Sequence, residues 1–171
     1  SADNLSQLTL SSTDADANSG PVLELYRNSS SPADDDVLGE IEFHGENGAG
    51  EKIQYGLIAA KLQDETDGTE DVRLSFKTIT AGTERERVTI QPTEVVINED
   101  SQDLDFRVES NAGTHTFFVD GGDNIVTAFK TSPNTDSGGV EFRSGGNSYF
   151  TQVAATNTPT VQIKQIGEGG N

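Results

Sequence analysis

The sequence predicts an all-β protein, elongated and rich in turns, and three observations carry that reading. Apolar residues recur with a period of two, as in DVRLSFKTIT, where Val72, Leu74 and Phe76 alternate with Arg73, Ser75 and Lys77. The alternating runs are separated at short intervals by Gly, Asn and Asp, which accept the positive φ of tight hairpins. Only GLIAAKLQ, residues 56–63, has fair helical propensity, and the alternation of Ile53, Tyr55, Leu57 and Ala59 through it favours a strand.

The elements follow in order. Residues 1–20 form a polar linker holding one short strand, Leu5–Leu10. Residues 21–98 form a β-domain with strands expected at Val22–Arg27, Leu38–His44, 52–63, 71–80, Arg85–Ile90 and Glu94–Ile97. The breaks between them are NSSSPADDD, GENGAGE, DGTED and AGTE. Residues 99–171 form an elongated shaft-like segment in which the strands shorten and Gly, Asn and Ser increase. Strands are expected there at 104–109, His115–Val119, Ile125–Phe129, Gly139–Phe142, Ser148–Val153 and Thr160–Ile166, parted by ESNAGT, DGGDN, SPNTDSGG and SGGN.

The chain is thin in core-forming residues. Its 12 valines, 9 isoleucines, 10 leucines and 8 phenylalanines make up less than a quarter of 171 positions. Chains short of core rely on disulfides, metals or oligomerisation. With no cysteine, disulfides and thiolate metal sites are excluded, which leaves association with identical copies as the expected source of burial.

A formal charge of −18, with 11 scattered Lys and Arg, offers no basic patch to follow a phosphate backbone. Nucleic acid is not an expected partner. No apolar run is long enough to insert in a bilayer, and an acidic surface suits a particle exposed to salty water. The start at Ser1, with no Met anywhere, suggests a trimmed or excerpted chain.

Each stretch that could carry chemistry has a simpler structural explanation. QDETDGTEDV, residues 63–72, has the acids of a calcium loop, but the sixth residue after Gly68 is Leu74 where an EF-hand needs Glu, so it reads as a hairpin tip. Asp34, Asp35 and Asp36, and Asp120 with Asp123, also read as turns, although calcium trapped between acidic subunits would be no surprise. His44 and His115 have the setting of strand-end histidines, and no G-x-S-x-G elbow or phosphate loop occurs. Paired carboxylates of a glycosidase usually come with aromatic sugar platforms, and the chain has no Trp and only Tyr26, Tyr55 and Tyr149. No catalytic, cofactor or metal residue is assigned, and the expectation is a protein that is not an enzyme.

One short pattern recurs. IEFHG, LDFRV and VEFRS each run apolar, acid, Phe, then a basic or imidazole residue, with LELYR a looser relative. Positions one and three should point inward, and the pairs Asp105–Arg107 and Glu141–Arg143 should be neighbours on an exposed outer face. Such units suggest strands stacked along an axis.

Residues 20–90, from GPVLELYRNSSSPADDDV through TAGTERERVTI, resemble a module of tail-fibre and other virion-fibre proteins of tailed bacteriophages, marine ones especially. VVINEDSQDLDFRVESNAGTHTFFVDGGDNIV, residues 95–126, resembles a second such module. The resemblance implies an intertwined homotrimeric fibre, with a β-sandwich-like module, on the surface of a virion. It would support host attachment alongside other virion proteins and a host-surface receptor or glycan, and it brings no catalytic residues. The inner seam is then expected to hold Ile41, Phe43, Leu74, Phe76, Leu104, Phe106, Phe118 and Phe142. Phe106→Asp should prevent assembly, and a soluble folded monomer of that variant would count against the seam. The rival reading is a globular β-sandwich that binds glycan or decorates a capsid, with the tyrosines exposed as platforms.

Overall fold

The computed structural model describes residues 5–18, 20–111, 113–130 and 138–151. All of its regular structure is β: β1 Val37–Glu46, β2 Lys52–Asp64, β3 Asp71–Thr80, β4 Thr83–Ile90, β5 Val95–Ile97, β6 Phe106–Val108, β7 Phe117–Asp120, β8 Ile125–Ala128, β9 Gly139–Arg143 and β10 Ser148–Thr151. They form two antiparallel sheets ordered β1-β2-β3-β4-β5 and β10-β9-β8-β7-β6. Every neighbour in a sheet is also the neighbour in sequence, so short hairpin turns set the topology. By contact clustering the chain divides into one unit of Ser1–Glu84 with Ile90–Glu94 and a second of Arg85–Thr89 with Val95–Asn171.

In the first unit the turns are where the sequence placed them. Ala81 and Gly82 both take positive φ, 48° and 78°, the pairing that a two-residue hairpin needs. At the 63–72 tip Gly68 has φ 90°. Asp64 Oδ1 accepts the Thr66 N–H at 2.8 Å and its Oδ2 the Thr69 hydroxyl at 3.2 Å. That tip joins β2 to β3 in an antiparallel ladder.

Register decides which side chains share a face. Ile41 pairs with Ile58 and Ile58 with Phe76, so all three lie on one side of the sheet, together with Phe43, Ala60, Leu62, Val72 and Leu74. The opposite side carries Glu40, Glu42, Leu57, Ala59, Lys61, Arg73, Ser75 and Lys77. The alternating set that includes Leu57 and Ala59 lies on the same side as the polar set of β3, because Ala59 pairs with Ser75 and Leu57 with Lys77. The apolar partners of Leu74 and Phe76 are Ala60 and Ile58.

The second unit repeats this division. Phe106, Val119, Val126 and Phe142 form one row across four strands, and Val108, Phe117, Ala128, Val140 and Phe150 form the next row on the same side. The other side carries Arg107, Phe118, Thr127, Glu141 and Tyr149.

Two expected strands do not form: Leu5–Leu10 and Val22–Arg27 make no ladder. Instead Leu25 packs on Gly39, where an added Cβ would stand 2.9 Å from the Leu25 Cβ. Arg27 donates to the Val37 carbonyl at 2.9 Å and pairs with Asp36 at 2.8 Å. A residue without a side chain at position 39 gives the segment a place to lie. The expected strand Thr160–Ile166, the end of Ser148–Val153 and most of SPNTDSGG lie outside the described residues.

Candidate functional site

Burial in each unit is the reverse of what composition suggests. In the first unit Leu57, Ala59 and Ser75 on the mixed side are buried, while Ile41 is 42%, Phe43 55% and Phe76 38% exposed on the apolar side. Leu57 and Ala59 are small or mid-sized groups flanked in the ladder by Glu42, Lys77 and Glu40, whose stems can shield them. Phe76 and Ile41 stand above their neighbours and keep much of their surface in water.

In the second unit Phe118, Ile125, Thr127 and Glu141 are buried, whereas Phe106, Val108, Phe117, Phe142 and Phe150 are exposed. Phe142 and Phe150 meet edge to face with centroids 6.2 Å apart, and Phe106 meets Phe117 likewise at 6.3 Å. These contacts order the rings without removing them from solvent. The apolar side is indented by a groove of about 540 Å³, walled by Ile97, Leu104, Phe106, Val119 and Val126 and rimmed by Ser101, Gln102, Asp120 and Asn124.

Of the seam expected from sequence, Ile41, Phe43, Leu74 and Phe76 share one face of the first unit, and Phe106 and Phe142 share one face of the second. Leu104 lines the groove. Phe118 is a correction: it points to the opposite side, is buried, and packs edge to face on His115 at 4.8 Å. Alternation counted along HTFFVD cannot tell which of two adjacent phenylalanines faces which side until the ladder fixes it. Sequence reading also missed Ile58, Ala60, Val119 and Val126, which complete the two apolar faces.

The ion pairs expected from the recurring pattern are realised at one site and not at another. Arg107 pairs with Glu109 at 2.7 Å, and Asp105 accepts the Gly121 N–H at 3.2 Å. Glu141 and Arg143 do pair, but the carboxylate is fully buried, not exposed, and Lys130 Nζ lies 3.2 Å from its other oxygen. The Lys130 contact has ion-pair distance without hydrogen-bond alignment at Oε2. Burial pushes the Glu141 pKa up, but Arg143 and Lys130 together outweigh it and hold the carboxyl below its ordinary range.

The remaining candidates have structural partners. His44 pairs with Glu42 at 2.7 Å, and His115 Nδ1 lies 2.9 Å from the Thr114 hydroxyl. Asp35 pairs with Lys61 at 2.9 Å, Asp36 with Arg27, and Asp120 accepts the Asp123 N–H at 2.7 Å. Asp34 is drawn instead to the 63–72 tip, where its carboxylate and those of Asp64 and Glu65 lie within 4.8 Å of one another. A hydrogen bond with Glu65, then slight desolvation and the nearby acids, raise the Asp34 pKa, while the Thr66 N–H lowers that of Asp64. The Tyr149 ring is capped by the Arg143 guanidinium at 5.2 Å, and Tyr26 is exposed. Among the described residues no helix is long and apolar enough to cross a membrane.

No protein-family model matches the chain, and neither does any curated protein or solved structure.

Proposed function

We propose that the chain is the subunit of a homotrimeric virion fibre, a bacteriophage tail fibre or related appendage that supports host attachment and carries out no catalysis. One observation carries this reading: in each unit the face richest in Phe, Ile and Val is the exposed one. Each half-exposed phenylalanine or isoleucine forgoes roughly 1 kcal/mol of apolar burial. Identical copies, present at the same concentration and bearing the same faces, are the simplest way to recover it.

The acidic surface and the resemblance of residues 20–126 to fibre modules support the virion setting. On this reading the three chains bury the apolar faces along a common axis, and solvent meets the acids and turns. Sheet edges, which would otherwise recruit strands without control, are covered by neighbouring copies. Reach and adhesion are then the work of the protein.

Sedimentation velocity with solution scattering tests the reading. An elongated particle of three chains is expected. A compact monomer at all concentrations would instead favour a globular glycan-binding or capsid-decorating module.

A further inference from the structure

Phe129 stands apart from the other exposed aromatics. It follows β8 directly, is 74% exposed, and has φ 58°, a conformation that an aromatic residue rarely adopts. Its N–H donates to the Thr116 carbonyl at 3.1 Å, which fixes the strained geometry in place. Strain of this kind persists where the surroundings impose it, and it clusters at functional positions. Here it ends the strand with a phenyl ring presented to solvent.

The groove lies toward the other end of the same strand. Asn124, which precedes β8, and Val126 line it. β8 is the central strand of its sheet, so knob and groove are set about 10–17 Å apart on a stiff ladder.

We infer that Phe129 of one copy inserts into the groove of the next, and that this head-to-tail contact, made three times, closes the trimer. The inference rests on the self-assembly reading above and names the contact that performs it. A three-fold ring requires two different patches on each copy, one giving and one receiving, and this chain carries such a pair.

Charge fits that occupant, and the area supplies part of what a stable contact needs. The turns beside the groove carry Asp103, Asp105, Asp120 and Asp123. Among the described residues the hollow around Phe129 is lined by Ser110, Gly113, Thr114, His115, Thr116 and Lys130, with no carboxylate. An acidic rim therefore repels a second acidic rim but accepts the Phe129 end. A phenyl ring buries about 150–250 Å², short of the ~800 Å² per partner of a stable interface. The groove continues along Phe106, Val119 and Val126 to Phe142. At ~4.8 Å between strands and ~3.3 Å per residue, that face adds roughly 300 Å², so knob and face together reach somewhat over half of the area a stable interface buries per partner.

Two experiments test the contact. Phe129→Gly removes the knob and suits the positive φ, so at concentrations high enough to keep the variant assembled it should keep or gain thermal stability. The concentration for half-assembly should rise at least about thirtyfold, as for loss of an aromatic anchor. The chain has no cysteine, so Val126→Cys with Phe129→Cys gives a clean cross-linking pair. Three residues apart, one in β8 and one just past its end, these thiols sit about 10 Å from each other, too far for a disulfide within a copy. Oxidation should give covalent trimers from the double variant and none from either single variant. A wild-type trimer with no such cross-link, and unchanged assembly of Phe129→Gly, would overturn the contact and leave the fibre reading intact. A wild-type monomer would overturn both.

Discussion

Phe76 stands directly opposite Ile58 in the β2–β3 ladder, on the exposed face, while Ser75 one residue earlier is buried opposite Ala59. On the proposed reading, a sheet whose serine is covered and whose phenylalanine is wet holds its apolar face for a neighbouring copy. Phe76→Asp should therefore act on assembly first. At concentrations where the proposed wild-type trimer forms, light scattering of the variant should give the mass of one chain, and the β signal in circular dichroism should weaken because the missing interior is no longer supplied. A Phe76→Asp trimer of unchanged melting temperature would count against that face as an interface.

Glu141 gives the sharpest electrostatic prediction. It is fully buried between Lys130 and Arg143. Removing one member of a buried ion pair leaves the others uncompensated and costs about 3–5 kcal/mol. Glu141→Gln should lower stability by about that amount in urea unfolding at pH 7. The sign of the pH effect follows from the depressed pKa. The carboxylate's contribution is complete above its unfolded value of 4.5 and is lost as pH falls through the lower folded value. The difference between wild type and variant should thus be flat from pH 6 to 8 and shrink in acid.

Most of the strands were legible because period-two alternation and turn chemistry are local signals. The β3 run 71–80 and the hairpin tip at Gly68 required nothing beyond neighbouring residues. What failed was non-local. Whether Phe117 or Phe118 faces the exposed side depends on the pairing of Phe118 with Thr127 and Arg107, which no single strand contains. Val22–Arg27 has the residues of a strand yet forms no ladder, because propensity cannot supply a partner edge. The buried state of Glu141 was hidden for a similar reason: Lys130 reaches it from outside the VEFRS pattern.

Gly139 separates steric necessity from mere turn preference. Its φ is 133°, and an added Cβ would stand 2.5 Å from the Ala128 carbonyl oxygen and 2.4 Å from Lys130 Cγ. The oxygen is backbone and cannot swing away. Gly139→Ala should cost roughly 2–4 kcal/mol, in the range of strained backbone combined with overpacking. Gly50→Ala is the control. Its φ is 79° and nothing lies within 4 Å of the added Cβ, so only the left-handed backbone penalty of about 1 kcal/mol applies. Equal losses for the two in thermal unfolding would show that the Ala128 contact is not tight.

Asp34 and Asp64 face each other at the 63–72 tip and should respond in opposite directions. Asp34 has a raised pKa, first from its hydrogen bond with Glu65 and then from desolvation and the neighbouring acids. A carboxyl whose folded pKa is raised favours folding when protonated and opposes it when ionised, so the penalty is full at neutral pH and vanishes in acid. Asp64 has a lowered pKa because the Thr66 N–H stabilises its ionised form. Its contribution is present at neutral pH and lost as pH falls. Asp34→Asn should raise the melting temperature at pH 7 and Asp64→Asn should lower it, by calorimetry on the same preparation. The gap between the two variants should narrow from pH 7 toward pH 3. A gap independent of pH would mean that packing at the tip, and not the crowding of its charges, sets the stability of this hairpin.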